Sequence, residues 1–353
     1  MLQMLKRPNE DYMNYALELA RRGLGVCAPN PAVGCVIVKD GQIIAAEHTA
    51  PNGRPHAESQ ALENAVEDPK GADVYVTLEP CAHHGVTPPC AEALVRAGVK
   101  NVFIAQIDPD PRVAGKGAKM LADAGIGVQV GLHYDEAEEI NRGFFKRILQ
   151  GKPFVTFKIA TDAENRYLPA KKGKPQWVSS ETSRKYVHQL RAYADAIITS
   201  SSTVLADNPE LNCRLPGYED YSPQRVLIDR SLVVPSTSKL MQNPPLWVFT
   251  AKSGEIPPVM GVKFIQNTEL NLNWILQELA RDGKNNVFVE AGRTLLRAFL
   301  QENLVDELLW FKSPNKITKT NPVFFENADL ANFTEIRRDK VGEDQLITLR
   351  PKV

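Results

Sequence analysis

The chain has 353 residues, and its 42 Lys plus Arg balance 42 Asp plus Glu, so the formal net charge is zero. That balance argues against nonspecific binding to nucleic acid, which draws on a basic excess. The 43% hydrophobic and 24% charged fractions are those of soluble globular domains, and five cysteines are too few and odd in number for a disulfide scaffold. No stretch reads as a membrane span: the longest uncharged run, residues 23–38, is broken by Pro29, Asn30 and Pro31. Residues 1–5 are too short for a signal h-region. The expectation is a cytoplasmic protein of two domains that could form a homo-oligomer.

In chain order, Asn9 is placed to cap a helix whose Tyr12, Tyr15, Ala16, Leu19 and Ala20 share one face, with Gly23 ending it. Residues 33–38 form an apolar β-rich run, Asp40-Gly41 is a hairpin signal, and residues 42–46 return. A helix is expected over 56–66, a strand over 74–78 and a helix over 90–97 closed by Gly98. A strand over 102–105, a helix over 115–124 and a strand near Val128 follow. Short apolar strands separated by helices imply βαβ units and a sheet covered on both faces. Gly151-Lys152-Pro153 marks the boundary between a domain of residues 1–150 and one of 151–353. Beyond it come a strand at 154–159, a helix at 180–193 and strands at 196–199, 226–228, 247–250 and 287–290. Helices at 272–280 and 293–300 and a strand at 307–311 complete the second half.

The sharpest feature is His56-Ala57-Glu58 together with Glu79-Pro80-Cys81 and Cys90. One imidazole and two thiolates suit zinc and leave a fourth tetrahedral position for a water, whose pKa zinc lowers to about 7. His56 and Cys90 fall at helix starts, which favour anionic ligands. Glu58 need not be a ligand; it can carry protons between the attacking water and a departing amine. The pattern is the zinc deaminase signature. Two blander readings stand beside it. One is a helix-start His, a surface Glu and two core Cys. The other is a structural zinc site completed by His83 or His84.

Eight residues separate Cys81 from Cys90. With Pro29-Asn30-Pro31-Ala32-Val33-Gly34-Cys35, His48, and the run from Asp108 to Gly117, this spacing resembles the deaminase half of the bifunctional RibD family of riboflavin biosynthesis. The resemblance implies zinc on His56, Cys81 and Cys90, Glu58 as proton shuttle, and Asn30 and His48 at the substrate. Ala45-Ala46-Glu47 departs from the family's Gly-rich approach to His48.

The second half resembles the same family's reductase domain, which has a dihydrofolate-reductase-like fold. The matches are Gln176-Trp177, Arg191, the loop from Thr203 to Pro209, Leu211, Arg214, Val289-Glu290-Ala291-Gly292 and Val305-Asp306-Glu307-Leu308. The resemblance implies that Trp177, Thr203, Asp207 and Gly292 line an NADPH site. Arg191, Leu211, Arg214 and Glu290 would line the substrate site, with Lys158 a further reductase candidate. Arginines can pair with phosphate. No G-x-G-x-x-G follows a strand, so a Rossmann domain is not supported. The departures are residues 161–166, expected just past a strand end where ligands bind, Pro175, Gly292-Arg293, and Pro314-Asn315-Lys316-Ile317-Thr318.

The implied fold is α/β, a cytidine-deaminase-like αβα domain followed by the reductase domain. The implied function is deamination of 2,5-diamino-6-ribosylamino-4(3H)-pyrimidinone 5′-phosphate, then NADPH-dependent reduction of its ribosyl group. A deaminase with a degenerate second domain and a zinc-stabilised scaffold are the alternatives. Cys27, Cys35 and Cys213 read as packing residues, and His133 and His188 as structural. Lys171, Lys172 and Lys174 read as a solvated loop that could steer a phosphorylated substrate.

Overall fold

The computed structural model describes residues 8–84, 88–111, 113–169 and 176–352. The Lys171, Lys172 and Lys174 cluster, Pro175 and residues 1–5 lie outside the described residues. The chain divides into two compact units, Met1–Gly151 and Lys152–Val353.

The first unit runs α1 (Glu10–Arg21), β1 (Gly34–Lys39), β2 (Gln42–His48), α2 (Ala57–Glu63), β3 (Asp73–Val76), α3 (Cys90–Ala97), β4 (Asn101–Ile104), α4 (Lys116–Asp123), β5 (Gly127–Val130) and α5 (Tyr134–Gln150). Its sheet has the order β2-β1-β3-β4-β5. Strand β1 is antiparallel to both neighbours, and β3, β4 and β5 are parallel. Asp40 and Gly41 both take positive φ, 49° and 82°, the backbone that a two-residue hairpin needs.

Alternate residues feed two cores. Ile37, Val74, Val76, Val102 and Ile104 pack with Leu94 and Leu121. Val36, Tyr75 and Phe103 pack with Met13, Ala16 and Ile140 on the other side. The unit is therefore an αβα sandwich. Asn9 caps α1 by accepting from the Asp11 N–H at 2.9 Å. The buried face of α1 holds Met13 and Leu17, where the sequence suggested Tyr12 and Tyr15. A Cβ on Gly34 would fall 1.8 Å from the Ala16 carbonyl oxygen, so α1 presses its alanine side on β1 and turns the tyrosines to the rim. There the Tyr12 hydroxyl donates to the Gly41 carbonyl at 2.8 Å. Helix α2 stops short of residue 66, because the Val66 N–H bonds the Ile44 carbonyl instead.

The second unit runs β6 (Phe154–Thr161), α6 (Glu181–Ala192), β7 (Ala196–Ser200), α7 (Ser201–Asp207), β8 (Gln224–Ile228), α8 (Lys239–Gln242), β9 (Leu246–Thr250), β10 (Val262–Gln266), α9 (Leu272–Arg281), β11 (Asn286–Glu290), α10 (Arg293–Gln301), β12 (Glu307–Lys312), β13 (Phe333–Val341) and β14 (Asp344–Pro351). The sheet order is β10-β9-β8-β7-β11-β6-β12-β14-β13. It is parallel from β10 to β12, and antiparallel at β14 and β13. Along β6, Val155, Phe157, Ile159 and Thr161 are buried while Lys158 and Ala160 point to the other face. The expected loop from Thr203 to Pro209 is instead mostly α7. The Ser200 hydroxyl caps that helix by accepting from the Thr203 N–H at 3.4 Å, and Asn208 ends it at φ 45°. Strand β13 is exposed along most of its length and carries Glu335, Arg337, Arg338, Asp339 and Lys340. Among the described residues, no helix is long and apolar enough to cross a membrane.

Candidate active sites

In the first unit, His56 is the N-cap residue of α2 and Cys90 the first residue of α3. Cys81 follows β3. The ligand atoms of His56, Cys81 and Cys90 all lie within 4.8 Å of one another. His56 Nδ1 is 3.8 Å from Cys81 Sγ and 3.4 Å from Cys90 Sγ, and the Cys90 N–H donates to Cys81 Sγ at 3.3 Å. Nδ1 thus turns to the thiols, and Nε2 lies 3.4 Å from the Asn30 amide nitrogen. An imidazole and two thiols at this spacing fit a zinc ion with one position left open. His84 instead faces Glu92 at 3.6 Å, and neither it nor His83 belongs to the metal-type group found among the described residues.

The electrostatics agree with the donor set. A hydrogen bond from Cys90 pulls the Cys81 thiol down to about 4, with His56 assisting against burial. That same bond and burial hold the Cys90 thiol well above its usual value. Contact with Cys81, and then the charge of Glu58, raise His56 against the opposing effect of burial. Glu58 is 4% exposed in the first turn of α2. Burial lifts its carboxyl to about 7; the His56 charge opposes the rise and Cys81 adds to it.

Asn30 donates to the Gly53 carbonyl at 2.6 Å. Gly53 has φ +80°, and a Cβ there would come within 2.6 Å of the Asn30 side chain, so both conformation and space require glycine. Behind the same loop, the Asn141 side chain of α5 bonds the Ala32 N–H at 2.9 Å and the Ala32 carbonyl at 3.0 Å. His48 closes β2, with Nδ1 2.9 Å from the Thr49 carbonyl oxygen.

The second unit holds a cavity of about 770 Å³. Lys158, Trp177, Arg191, Thr203, Asp207, Leu211, Arg214, Glu290 and Gly292 all line it. Lys158 and Glu290 are register partners on adjacent parallel strands. Arg191 grips Glu290 through Nε at 2.6 Å and a second nitrogen at 3.1 Å, and gives a third N–H to the Asn212 carbonyl. The sequence suggested that Arg191 would meet phosphate; three of its donors are committed within the protein. Burial alone would raise Glu290, but Arg191 and Lys158 together hold it below the usual carboxylate range. Burial lowers Lys158, helped by Arg191 and opposed by Glu290 and Asp207. Burial raises Asp207 against the pull of Lys158.

The Thr203 hydroxyl accepts from the Gly292 N–H at 3.3 Å. Gly292 is the N-cap of α10, and a Cβ there would meet nothing within 4 Å. The helix start therefore opens on the cavity with the polarity that suits a phosphate. Trp177 is 62% exposed, with the Arg184 guanidinium 4.9 Å from its ring centre. Leu211 takes φ 56°, and Arg214 reaches Glu210 at 3.2 Å. Lys239, Tyr167, Ser202 and Phe324 also line the cavity. No motif marked them, since Ser202 and Lys239 come from α7 and α8 while Tyr167 and Phe324 come from loops far apart in sequence.

The stretch 161–166 differs from expectation. It does not line the cavity, although Ala160 and Tyr167 on either side do. Asp162 is fully buried and ties the turn to the segment after β12. Its carboxylate accepts from the N–H groups of Glu164, Arg166 and Ile317 at 2.8, 2.8 and 2.9 Å. Asn165 supplies the left-handed residue at φ 61°. Cys27, Cys35 and Cys213 are buried, and the Cys27 and Cys213 thiols donate to the Asn30 and His188 carbonyls. The Arg214 N–H donates to His188 Nδ1 at 3.2 Å.

Residues 6–106 match the family described as the cytidine and deoxycytidylate deaminase zinc-binding region, and residues 153–346 match the RibD C-terminal domain. Fold, donor group and these matches define the class: a cytidine-deaminase-like domain followed by a RibD reductase domain. The riboflavin biosynthesis protein RibD of Haemophilus influenzae is 38% identical, covering 99% of this chain and 100% of the relative. That of Escherichia coli is 42% identical over 87% of this chain and 88% of the relative. The solved Acinetobacter baumannii RibD superimposes with a TM-score of 0.87 at 38% identity, covering 98% of this chain and 99% of that one. The Thermotoga maritima diaminohydroxyphosphoribosylaminopyrimidine deaminase/5-amino-6-(5-phosphoribosylamino)uracil reductase does so at 0.88 and 33% identity, over 97% and 98%. The chain belongs to the RibD family.

Proposed function

We propose that this chain catalyses two consecutive steps of riboflavin biosynthesis. Its first unit deaminates 2,5-diamino-6-ribosylamino-4(3H)-pyrimidinone 5′-phosphate, and its second reduces the ribosyl group of the product to ribityl with NADPH. The observation that carries the deaminase reading is the buried Glu58 carboxyl two residues from a His/Cys/Cys donor group. His56 Nδ1, Cys81 Sγ and Cys90 Sγ would hold zinc, which supplies a Lewis acid that makes water nucleophilic near neutral pH. A Glu58 oxygen takes a proton as water oxygen bonds to the ring carbon. The same carboxyl returns a proton to the exocyclic nitrogen as the C–N bond breaks and ammonia leaves. Asn30, braced by Gly53, stands at the outer nitrogen of His56, and His48 is assigned to the substrate.

For the reductase, Trp177, Thr203, Asp207 and Gly292 are assigned to NADPH, and Arg191, Leu211, Arg214 and Glu290 to the phosphorylated substrate. NADPH would supply the hydride that forms the new C–H bond at the sugar C1′ as its bond to the ring oxygen breaks. Lys158 Nζ, on the strand beside Glu290, would hold the proton that the released ring oxygen takes up as a hydroxyl. The altered turn at 161–166 packs away from the cavity, which supports an intact reductase rather than a degenerate one. A reducing cytoplasm suits a chain whose five cysteines are too few and odd in number for a disulfide scaffold.

One coupled assay tests the reading. Purified protein given the diaminopyrimidine substrate should release ammonia, and with NADPH present should also lose absorbance at 340 nm. Ammonia without NADPH consumption would reduce the assignment to a deaminase; the absence of both signals would overturn it.

A further inference from the structure

Glu79 lies two residues before Cys81 and is 3% exposed. Its carboxylate is given over to main-chain donors. Oε1 accepts from the Ala118 N–H at 3.0 Å, and Oε2 from the N–H groups of Gly115 at 2.8 Å and Asp108 at 3.3 Å. Gly115 is the N-cap of α4, has no side chain to cap with, and takes φ 85°; the first turn of α4 carries no acidic residue. Helix starts leave N–H groups without partners inside the helix. Glu79 supplies both the missing acceptor and the missing negative charge from a different segment of the chain.

A second observation converges on the same place. A Cβ on Gly117, in the first turn of α4, would lie 2.0 Å from the Pro80 carbonyl oxygen and 3.3 Å from Glu79 Cγ. The peptide that leads into Cys81 therefore rests on the start of α4. On its other side, the Cys81 carbonyl accepts from the Ala91 N–H at 3.2 Å, and Cys81 Sγ from the Cys90 N–H at 3.3 Å. Cys81 is thus held between the first turns of α4 and α3. The peptide unit is planar and stiff, so moving Pro80 moves Cys81 with it. Zinc–sulfur bonds span only about 2.3 Å and tolerate a few tenths of an ångström of error.

We propose that Glu79 is a positioning residue for the metal group. By bridging the start of α4 and the chain at Asp108, its carboxylate fixes Cys81 and so sets how tightly zinc is retained. This rests on the zinc reading above. The test uses the full-length zinc-loaded protein, Glu79→Gln and Gly117→Ala, each challenged with a chelator and a colorimetric zinc indicator. Gln places an NH₂ where an acceptor is needed; Gly117→Ala keeps the carboxylate and disturbs chiefly the seat of Pro80, pressing less on Glu79 Cγ.

Both variants should release zinc about 10–100-fold faster, the range for outer-sphere partners of a metal site. Deamination should recover in excess zinc, and NADPH oxidation by the second unit should be unchanged. If both variants only lower the melting temperature of the metal-free protein and release zinc at the wild-type rate, Glu79 is a structural cap and the proposal is overturned. A wild-type chain that holds no zinc overturns the zinc reading and this one with it. If Glu79→Gln does not fold, the release rate of Gly117→Ala decides alone.

Discussion

Replacing Glu290 by Gln should destabilise the second unit because it strands a positive charge. The Arg191–Glu290 pair is bidentate, with side chains only 12% and 13% exposed, and Lys158 adds a second positive group nearby. Gln fills the same space and still accepts one hydrogen bond, yet leaves Arg191 without its counter-charge. Breaking a buried ion pair from one side costs about 3–5 kcal/mol; on the wall of a cavity that admits solvent, the low end of ~3 kcal/mol is expected. For a unit of about 200 residues this corresponds to a fall of about 6–12 °C in melting temperature. Calorimetry of the full chain measures it; under the proposed function, the relevant transition is the one that added NADPH should shift upward.

Arg191→Met combined with Glu290→Gln should be more stable than Glu290→Gln alone, since no uncompensated guanidinium remains. Arg191 and Lys158 hold Glu290 below the usual carboxylate range. The pair's contribution is therefore complete above about pH 4.5 and is lost as pH falls below that through the lower folded value. A single-mutant shift under ~2 °C, or a double mutant no better than Glu290→Gln, would refute the reasoning.

Cys81→Ser and Cys90→Ser should each lose zinc and ammonia release together, while wild type carries about one zinc per chain; metal analysis after gel filtration checks both. Glu58→Gln should keep zinc but lower ammonia release by at least ~10²-fold, the low end for a lost general acid–base group. His188 is held down to about 4, chiefly by burial and then by Arg191 and Arg214. The unfolded chain takes up that proton near pH 6.5, so stability falls as pH drops between those values. Allowing for solvent screening of a half-buried ring, His188→Gln should recover about 1 kcal/mol at pH 5 relative to pH 7. Urea titrations at the two pH values read the difference.

The donor group was legible because its chemistry lies in two short windows, residues 56–58 and 79–90, and two of its ligands sit at helix starts that glycine, proline and apolar spacing mark in the chain. The hairpin at Asp40-Gly41 was legible for the same local reason. The cavity of the second unit was legible only through likeness, since Lys158, Arg191, Asp207 and Glu290 meet across separate elements and no periodicity announces them. Tyr12 and Tyr15 misled because helical spacing shows which residues share a face but not how far a glycine-floored strand can rotate that face. Helix α7 was hidden behind polar residues: Ser200 caps it and Asn208 ends it, and both also read as loop residues. Strand β13 has no apolar alternation, because most of its length meets water. Glu79 looked like part of a ligand motif, while its three main-chain bonds appear only once α4 is folded against it.

That charged strand bears on how the molecule behaves in concentrated solution. With zero net charge, the protein has little long-range repulsion near pH 7 to keep copies apart. A nine-stranded sheet ending in a bare ladder would then invite strand-to-strand stacking between molecules. Lysine and arginine side chains along β13 raise the cost of adding a tenth strand there, since a docking chain would have to strip their hydration. Solubility at neutral pH is thereby guarded at one edge of the sheet. Neutral substitutions of Arg337 together with Asp339, and of Arg338 together with Glu335, would leave the net charge unchanged and show their effect as turbidity long before they altered either reaction.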